Sequence, residues 1–175
     1  MHLYFIRHGE STSNYGEVIT GQQDVALTEK GREQARTAGK TIIAEGLHID
    51  EIISSPLMRA HDTAKLIVEQ IGYPQENIHI SDLVIERSFG SLEGKPREAV
   101  LALSDQLITE CGGEIDPQLR ERAQKFLDSI KGHQGNILIV SHTGFGRRLR
   151  AVIEDIPTKE SQDFKNAELT DLGEV

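Results

Sequence analysis

The sequence predicts an α/β protein, a three-layer sandwich with a mostly parallel central sheet flanked by helices. Three observations carry this. Short apolar runs at 2–6, 51–54 and 136–140 each stop abruptly at polar residues, as buried strands do. The stretches between them repeat apolar residues at spacings of three and four, the helical signature. Strands that alternate with helices of about 10 to 20 residues form parallel crossover units rather than hairpins.

The elements follow in order. HLYFI at 2–6 is a buried strand that ends at Arg7-His8-Gly9, and 9–27, polar and holding Gly16 and Gly21, is mostly loop. Thr28 is the expected N-cap of a helix marked by Ala35, Ala38 and Ile42 and stopped near Gly46, with Gly31 weakening its first turn. EIIS at 51–54 is the second strand. Ser55-Pro56 is expected to open a helix with the stripe Ala60, Ala64, Ile67 and Ile71, ending at Gly72. NIHIS, with Leu83 to Ile85 beyond it, is a third apolar stretch before the polar turn ERSFGSLEG. Helices are expected near 97–108 and 117–131, separated by Gly112-Gly113. NILIV at 136–140 is the clearest strand, continuous and β-branched like a central parallel strand, and it ends at Ser141-His142. A helix from about Gly144 to Glu154 follows, stopped by Pro157, and NAELTDL is expected to form an antiparallel edge strand.

With 175 residues and no repeat or linker, one domain over 1–175 is expected. The chain holds 28 acidic and 19 basic side chains, a formal charge of −9. That balance excludes a nucleic-acid partner, which needs a basic surface, and it sits at odds with a phosphate substrate. The single cysteine, Cys111, forms no internal disulfide, and no zinc-ligand spacing occurs. The N-terminal apolar run is too short for a signal segment and no window approaches 18 apolar residues, so a cytoplasmic protein without a membrane partner is expected.

Ligands of open parallel sheets bind outside the carboxyl ends of the strands. Four such exits carry unusual residues: Arg7-His8, Arg59 one turn into the second helix, Glu86-Arg87, and His142-Thr143. A neutral imidazole is a nucleophile toward phosphorus, and guanidinium forks match phosphoryl oxygens. Two histidines, two or three arginines and a carboxylate, with no metal motif, therefore point to phosphoryl transfer through a phosphohistidine. Nearby arginines disfavour imidazolium and keep the nucleophile neutral. Glu86 has to carry a proton to release the leaving alkoxide.

Five blocks in order, LYFIRHGESTSN, TGQQDVALTEKGREQA, SSPLMRAHDTA, ERSFGSLEG and NILIVSHTG, resemble the histidine phosphatase family, also called phosphoglycerate mutase-like, over nearly the whole chain. The resemblance implies the phosphoglycerate mutase-like fold, His8 as nucleophile, and Arg7, Arg59 and His142 as the phosphoryl clamp, with Glu86 as proton donor. It also implies that Asn14 and the Thr20-Gly21 backbone lie near the substrate and that no metal or organic cofactor is needed. Thr143-Gly144 departs from the commoner Gly-Gly or Gly-Asn after the second histidine, although the backbone N–H survives the change. Family mutases carry an inserted segment with paired arginines, which the short 95–116 region lacks, so hydrolysis of a small phosphate monoester is favoured over mutase action. Gly112-Gly113-Glu114 resembles a run on the pocket wall of several family phosphatases.

Alternatives attach to several residues. Arg59 has Asp62 as a possible salt-bridge partner on the same helix face. Glu93 and Glu114 compete with Glu86 as the acid, and Arg87 reads as structural, paired with an acidic neighbour. Ser11 and Thr12 contact substrate or cap the turn. His2, His48, His61, His79 and His133 have no partners at meaningful spacing and read as surface or satisfied core residues. The competing functions are a mutase-type isomerase, a phosphohistidine or phosphoprotein phosphatase, and a catalytically dead phosphate-binding module. The sequence names neither the substrate nor the oligomeric state.

Overall fold

A computed structural model describes residues 1–12 and 18–175. Five strands form one sheet: β1 (His2–Arg7), β2 (Glu51–Ser54), β3 (His79–Ile80), β4 (Asn136–Ser141) and β5 (Leu169–Glu174). Their spatial order is β3-β2-β4-β1-β5. β1, β2 and β3 run parallel to their neighbours through β4, and β5 lies antiparallel against β1 at the edge. β4 is thus flanked on both sides, as its unbroken apolar sequence requires; all but its first residue are buried.

The α-helices among the described residues are α1 (Glu29–Ala44), α2 (Met58–Ile71), α3 (Arg97–Leu101), α4 (Asp105–Glu110), α5 (Asp116–Ser129) and α6 (Thr143–Ile153). The strands alternate their side chains between two cores. Tyr4, Ile6, Ile52, Leu138 and Val140 pack toward α1 and α2 with Ala38, Ile42, Ala64 and Ile67. Leu3, Phe5, Ile53, Ile137 and Ile139 pack toward α5 and α6 with Ala123, Phe126, Phe145 and Leu149. This is the expected three-layer sandwich, and a period-two alternation on a doubly covered sheet is its physical basis.

Local signals explain several element ends. The Thr28 side chain accepts the Gly31 N–H at 3.0 Å and caps α1. Gly72 adopts φ +72° after α2, the left-handed stop that favours glycine. Gly31 stands in the first turn of α1 because a Cβ there would lie 2.0 Å from the Glu10 carbonyl oxygen, and one at Gly9 would lie 2.3 Å from the Gly31 oxygen. Two glycines let the loop after β1 touch the start of α1.

Four expectations need correction. Pro56 does not open α2, which starts at Met58, whose N–H donates to Asp24 Oδ1 at 2.7 Å. The third apolar stretch supplies only a two-residue, exposed edge strand, while 82–84 turn as 3₁₀ to bury Val84. The single helix expected near 97–108 is two, because Ser104 caps a new helix by accepting the Leu107 N–H. His2, His48 and His133 do have acidic partners, two of them distant in sequence: His2 meets Asp171 at 2.6 Å, His48 meets Asp50 at 3.3 Å and His133 meets Glu51 at 2.6 Å. Among the described residues no helix is long and apolar enough to cross a membrane.

Candidate active site

The β1 and β4 registers set the site. Arg7 lies opposite Ser141, so His8 and His142 leave adjacent parallel strands at one level. The His8 N–H donates to the Ser141 oxygen at 2.9 Å, and the two rings stand 5.1 Å apart. The Asn166 amide donates to the His8 oxygen at 2.8 Å, and Arg7 Nη1 donates to the Phe164 oxygen at 3.1 Å. From the other side, the Gly9 N–H donates to Thr63 Oγ1 on α2 at 3.0 Å.

His8 is buried, and its Nδ1 lies 2.7 Å from the Gly9 carbonyl oxygen. A carbonyl only accepts, so Nδ1 carries the hydrogen and Nε2 keeps its lone pair. Burial, then the charges of Arg59 and Arg7, push the His8 pKa down to about 3, although the Gly9 bond opposes this. The imidazole is therefore neutral at neutral pH and nucleophilic at Nε2.

His142 is fully buried beneath the cleft rather than on its surface. Its Nε2 lies 2.8 Å from Ser55 Oγ, which also accepts the Leu57 N–H at 3.3 Å. Burial, Arg59, His8 and Arg7 hold its pKa well below the ordinary value, so it too is neutral. The Ser55 hydroxyl thus holds the ring through Nε2, which leaves Nδ1 as its other nitrogen. That nitrogen has no hydrogen-bond partner among the described residues.

Arg59 is 2% exposed. It does not pair with Asp62, which meets Lys65 at 3.3 Å. Its Nη1 and Nη2 instead donate to the Gln23 and Gly21 oxygens, both at 2.8 Å. Thr20 and Gly21 are thereby held at the cleft, with Gly21 at φ +52°. Burial lowers the pKa of Arg7 and of Arg59, and Glu86 opposes the shift in both, so these guanidinium groups remain charged.

Of the three candidate acids only Glu86 faces the cleft. Its Oε1 accepts the Arg87 N–H at 2.7 Å and Oε2 accepts the Gly144 N–H at 3.2 Å, at the N-terminus of α6. A Cβ at Gly144 would lie 2.2 Å from Glu86 Oε1, so the glycine of Thr143-Gly144 is the one that admits the carboxylate. Glu93 is occupied by the Gln22 and Phe89 N–H groups. Glu114 accepts the Ser88 N–H and pairs with Arg122 at 2.8 Å. Gly112-Gly113-Glu114 accordingly backs the site and does not line the cleft. Arg87 donates through Nε to the Glu114 carbonyl, not its carboxylate, and stacks 4.5 Å over the Phe89 ring.

The cleft encloses about 700 Å³. It brings together Arg7, His8, Thr20, Gly21, Arg59, Glu86 and Thr143, while Asn14 lies outside the described residues. Sequence reasoning missed three arginines of the rim, Arg97, Arg147 and Arg148. The Arg-Arg pair on α6, five and six residues past His142, was the signal that would have found two of them. It also missed Ser55 and Arg122, whose guanidinium binds the Leu83, Ile85 and Glu86 oxygens and so fixes the chain that carries the carboxylate. Among the described residues no three His, Cys, Asp or Glu side chains converge to hold a metal ion.

Fold and cleft together define a parallel α/β sandwich with paired neutral histidines among arginines at the carboxyl ends of its strands. The chain belongs to the histidine phosphatase superfamily (branch 1), whose family model matches residues 3–174. It is 41% identical to a 2,3-bisphosphoglycerate-dependent phosphoglycerate mutase of Bartonella bacilliformis, over 90% of this chain and 84% of that one. Among solved structures it is similar to a mutant phosphoserine phosphatase from Entamoeba histolytica in complex with phosphoserine, with TM-score 0.79 and 26% identity over 97% and 89% of the chains. A mycobacterial glucosyl-3-phosphoglycerate phosphatase shares the fold, with TM-score 0.79 and 23% identity over 97% and 88%.

Proposed function

We propose that the protein is a phosphomonoesterase that acts on small phosphate monoesters through a phosphohistidine on His8. The observation that carries this is the single free lone pair at His8 Nε2, on a ring kept neutral between Arg7 and Arg59, with a carboxyl group in the same cleft. In the first step Nε2 attacks phosphorus, the P–N bond forms, the P–O bond breaks and the Glu86 proton goes to the leaving oxygen. In the second, water attacks phosphorus and returns a proton to Glu86, and the P–N bond breaks to release inorganic phosphate and neutral His8.

Arg7, Arg59 and His142 clamp the transferring group, and the N-terminus of α6 adds its dipole. No metal or organic cofactor takes part in this scheme, and turnover is expected to survive chelation. The protein is expected to work in the cytoplasm on a free metabolite.

Acid-quenched mixing with a phosphate monoester should trap one phosphoryl group per chain, absent in His8→Ala. Turnover by His8→Ala would overturn the mechanism. Glu86→Gln should lose most activity on alkyl phosphates and less on aryl phosphates, whose leaving groups need no acid; equal losses would remove Glu86 from that role. A second reading, phosphoglycerate mutase action, is favoured by the names of the curated relatives. Measuring phosphate release beside isomer interconversion on phosphoglycerate separates the two.

A further inference from the structure

Beside the cleft lies a second cavity of about 500 Å³ that the chemistry above does not use. Arg120 of α5, Arg147 and Arg148 of α6, Lys159 and Thr158 line it, with Asp116 as its carboxylate. The two cavities share a wall, since Arg147 and Arg148 line both.

Four cations around one small cavity are unexpected in a chain of net charge −9, and internal pairing does not neutralise them. Asp116 is used by Arg148, at 2.9 Å, and by the Thr158 hydroxyl, at 3.2 Å. Arg147 Nη2 donates to the Thr158 oxygen, its Nη1 stands 3.5 Å from Asp163, which is largely exposed, and its Nε has no partner among the described residues. Arg120 spends only Nη1, on the Ile156 oxygen and Thr158 Oγ1. Lys159 has no acidic partner within 4.0 Å among the described residues.

Fixed, partly spent guanidinium groups with N–H donors left over match tetrahedral oxyanions. We infer that the second cavity binds a phosphate-class anion tethered to the phosphoryl group in the cleft, so that the preferred substrate carries two such groups, one in each cavity, with Arg147 and Arg148 reaching both. The substrate part rests on the phosphomonoesterase reading; the anion site does not.

The test uses butane-1,4-diol bisphosphate and butyl phosphate as probes. Calorimetry with the His8→Ala protein should show the bisphosphate binding about tenfold more tightly than butyl phosphate, as charge-assisted hydrogen bonds at a partly exposed site allow. The combined variant Lys159→Glu/Arg120→Gln, built on His8→Ala, should erase that advantage. On the wild-type background the same pair should leave p-nitrophenyl phosphate turnover within about twofold.

An advantage that is absent, or that persists in the combined variant, overturns the inference. Tight binding of inorganic phosphate, lost in the combined variant but without gain from the tether, overturns the substrate part by making the site one for a free anion. Absence of turnover on every ester, with the binding pattern intact, fails the phosphomonoesterase reading alone. Thermal unfolding of the combined variant and of Lys159→Glu by itself, which alters only an exposed side chain, reports whether loss of the Arg120 bonds has disturbed the fold.

Discussion

Acid should destabilise this protein through His8, and His8→Asn isolates the effect. Folded His8 has a pKa of about 3 against 6.5 for a free imidazole. At pH 4.5 the unfolded chain binds a proton at this position and the folded chain does not. Stability is therefore fully retained above pH 6.5 and falls as the pH drops toward 3. Two units separate 6.5 from 4.5, and at roughly 1.4 kcal/mol per unit the cost is about 3 kcal/mol, a sizeable fraction of a domain's net stability. His142 is shifted in the same direction by the same burial and arginines and steepens the slope further. Asparagine keeps a side-chain donor near the Gly9 carbonyl but has nothing to titrate. Urea unfolding of wild type and His8→Asn at pH 7.5 and 4.5 measures the difference. Acidification should move the stability gap by about 3 kcal/mol in favour of the variant. A gap that stays constant within about 0.5 kcal/mol would refute the neutral-histidine argument on which the proposed chemistry stands.

Three further substitutions probe the frame around the histidines. Ser55→Ala removes the hydroxyl that holds the His142 ring and should lower kcat about tenfold with little change in KM, while Ser55→Thr should recover most of it; steady-state kinetics of both variants decides. Gly144→Ala would place a methyl group 2.2 Å from Glu86 Oε1, so activity on alkyl phosphates should fall at least about tenfold while the circular dichroism spectrum is unchanged. Gly146→Ala would meet Phe5 Cζ at 2.5 Å and Phe164 Cε2 at 2.9 Å, and should cost about 1–3 kcal/mol in thermal or urea unfolding.

What the sequence discloses is set by whether the cause is local. The Thr28 cap, the Gly72 stop and the continuous apolar run of β4 each act within a few residues, and each is visible in the chain. The histidines, Arg7, Arg59 and Glu86 were legible because a strand or helix end addresses each of them to the carboxyl end of the sheet. Other features depend on what happens to lie opposite. Arg59 ignores the carboxylate three residues away because the backbone at Gly21 and Gln23 reaches it first. Gly31, a weakness by helix propensity, is required by the carbonyl of Glu10 on a different segment. Arg122 and Ser55 join the site through partners 36 and 87 residues away, a relation no spacing rule encodes.

The strand order has a consequence for how such a chain is made. β1 emerges first, yet its two sheet neighbours are β4 and β5, and both lie beyond residue 135. Until residues 136–174 have been made, the strand that ends at His8 has no edge to pair with, and β1 and β2 have nothing between them. An interrupted or truncated product keeps the RHG triplet but not the architecture that neutralises and aims it. The site is therefore assembled only once residues 136–174 have been made, through pairings far apart in sequence.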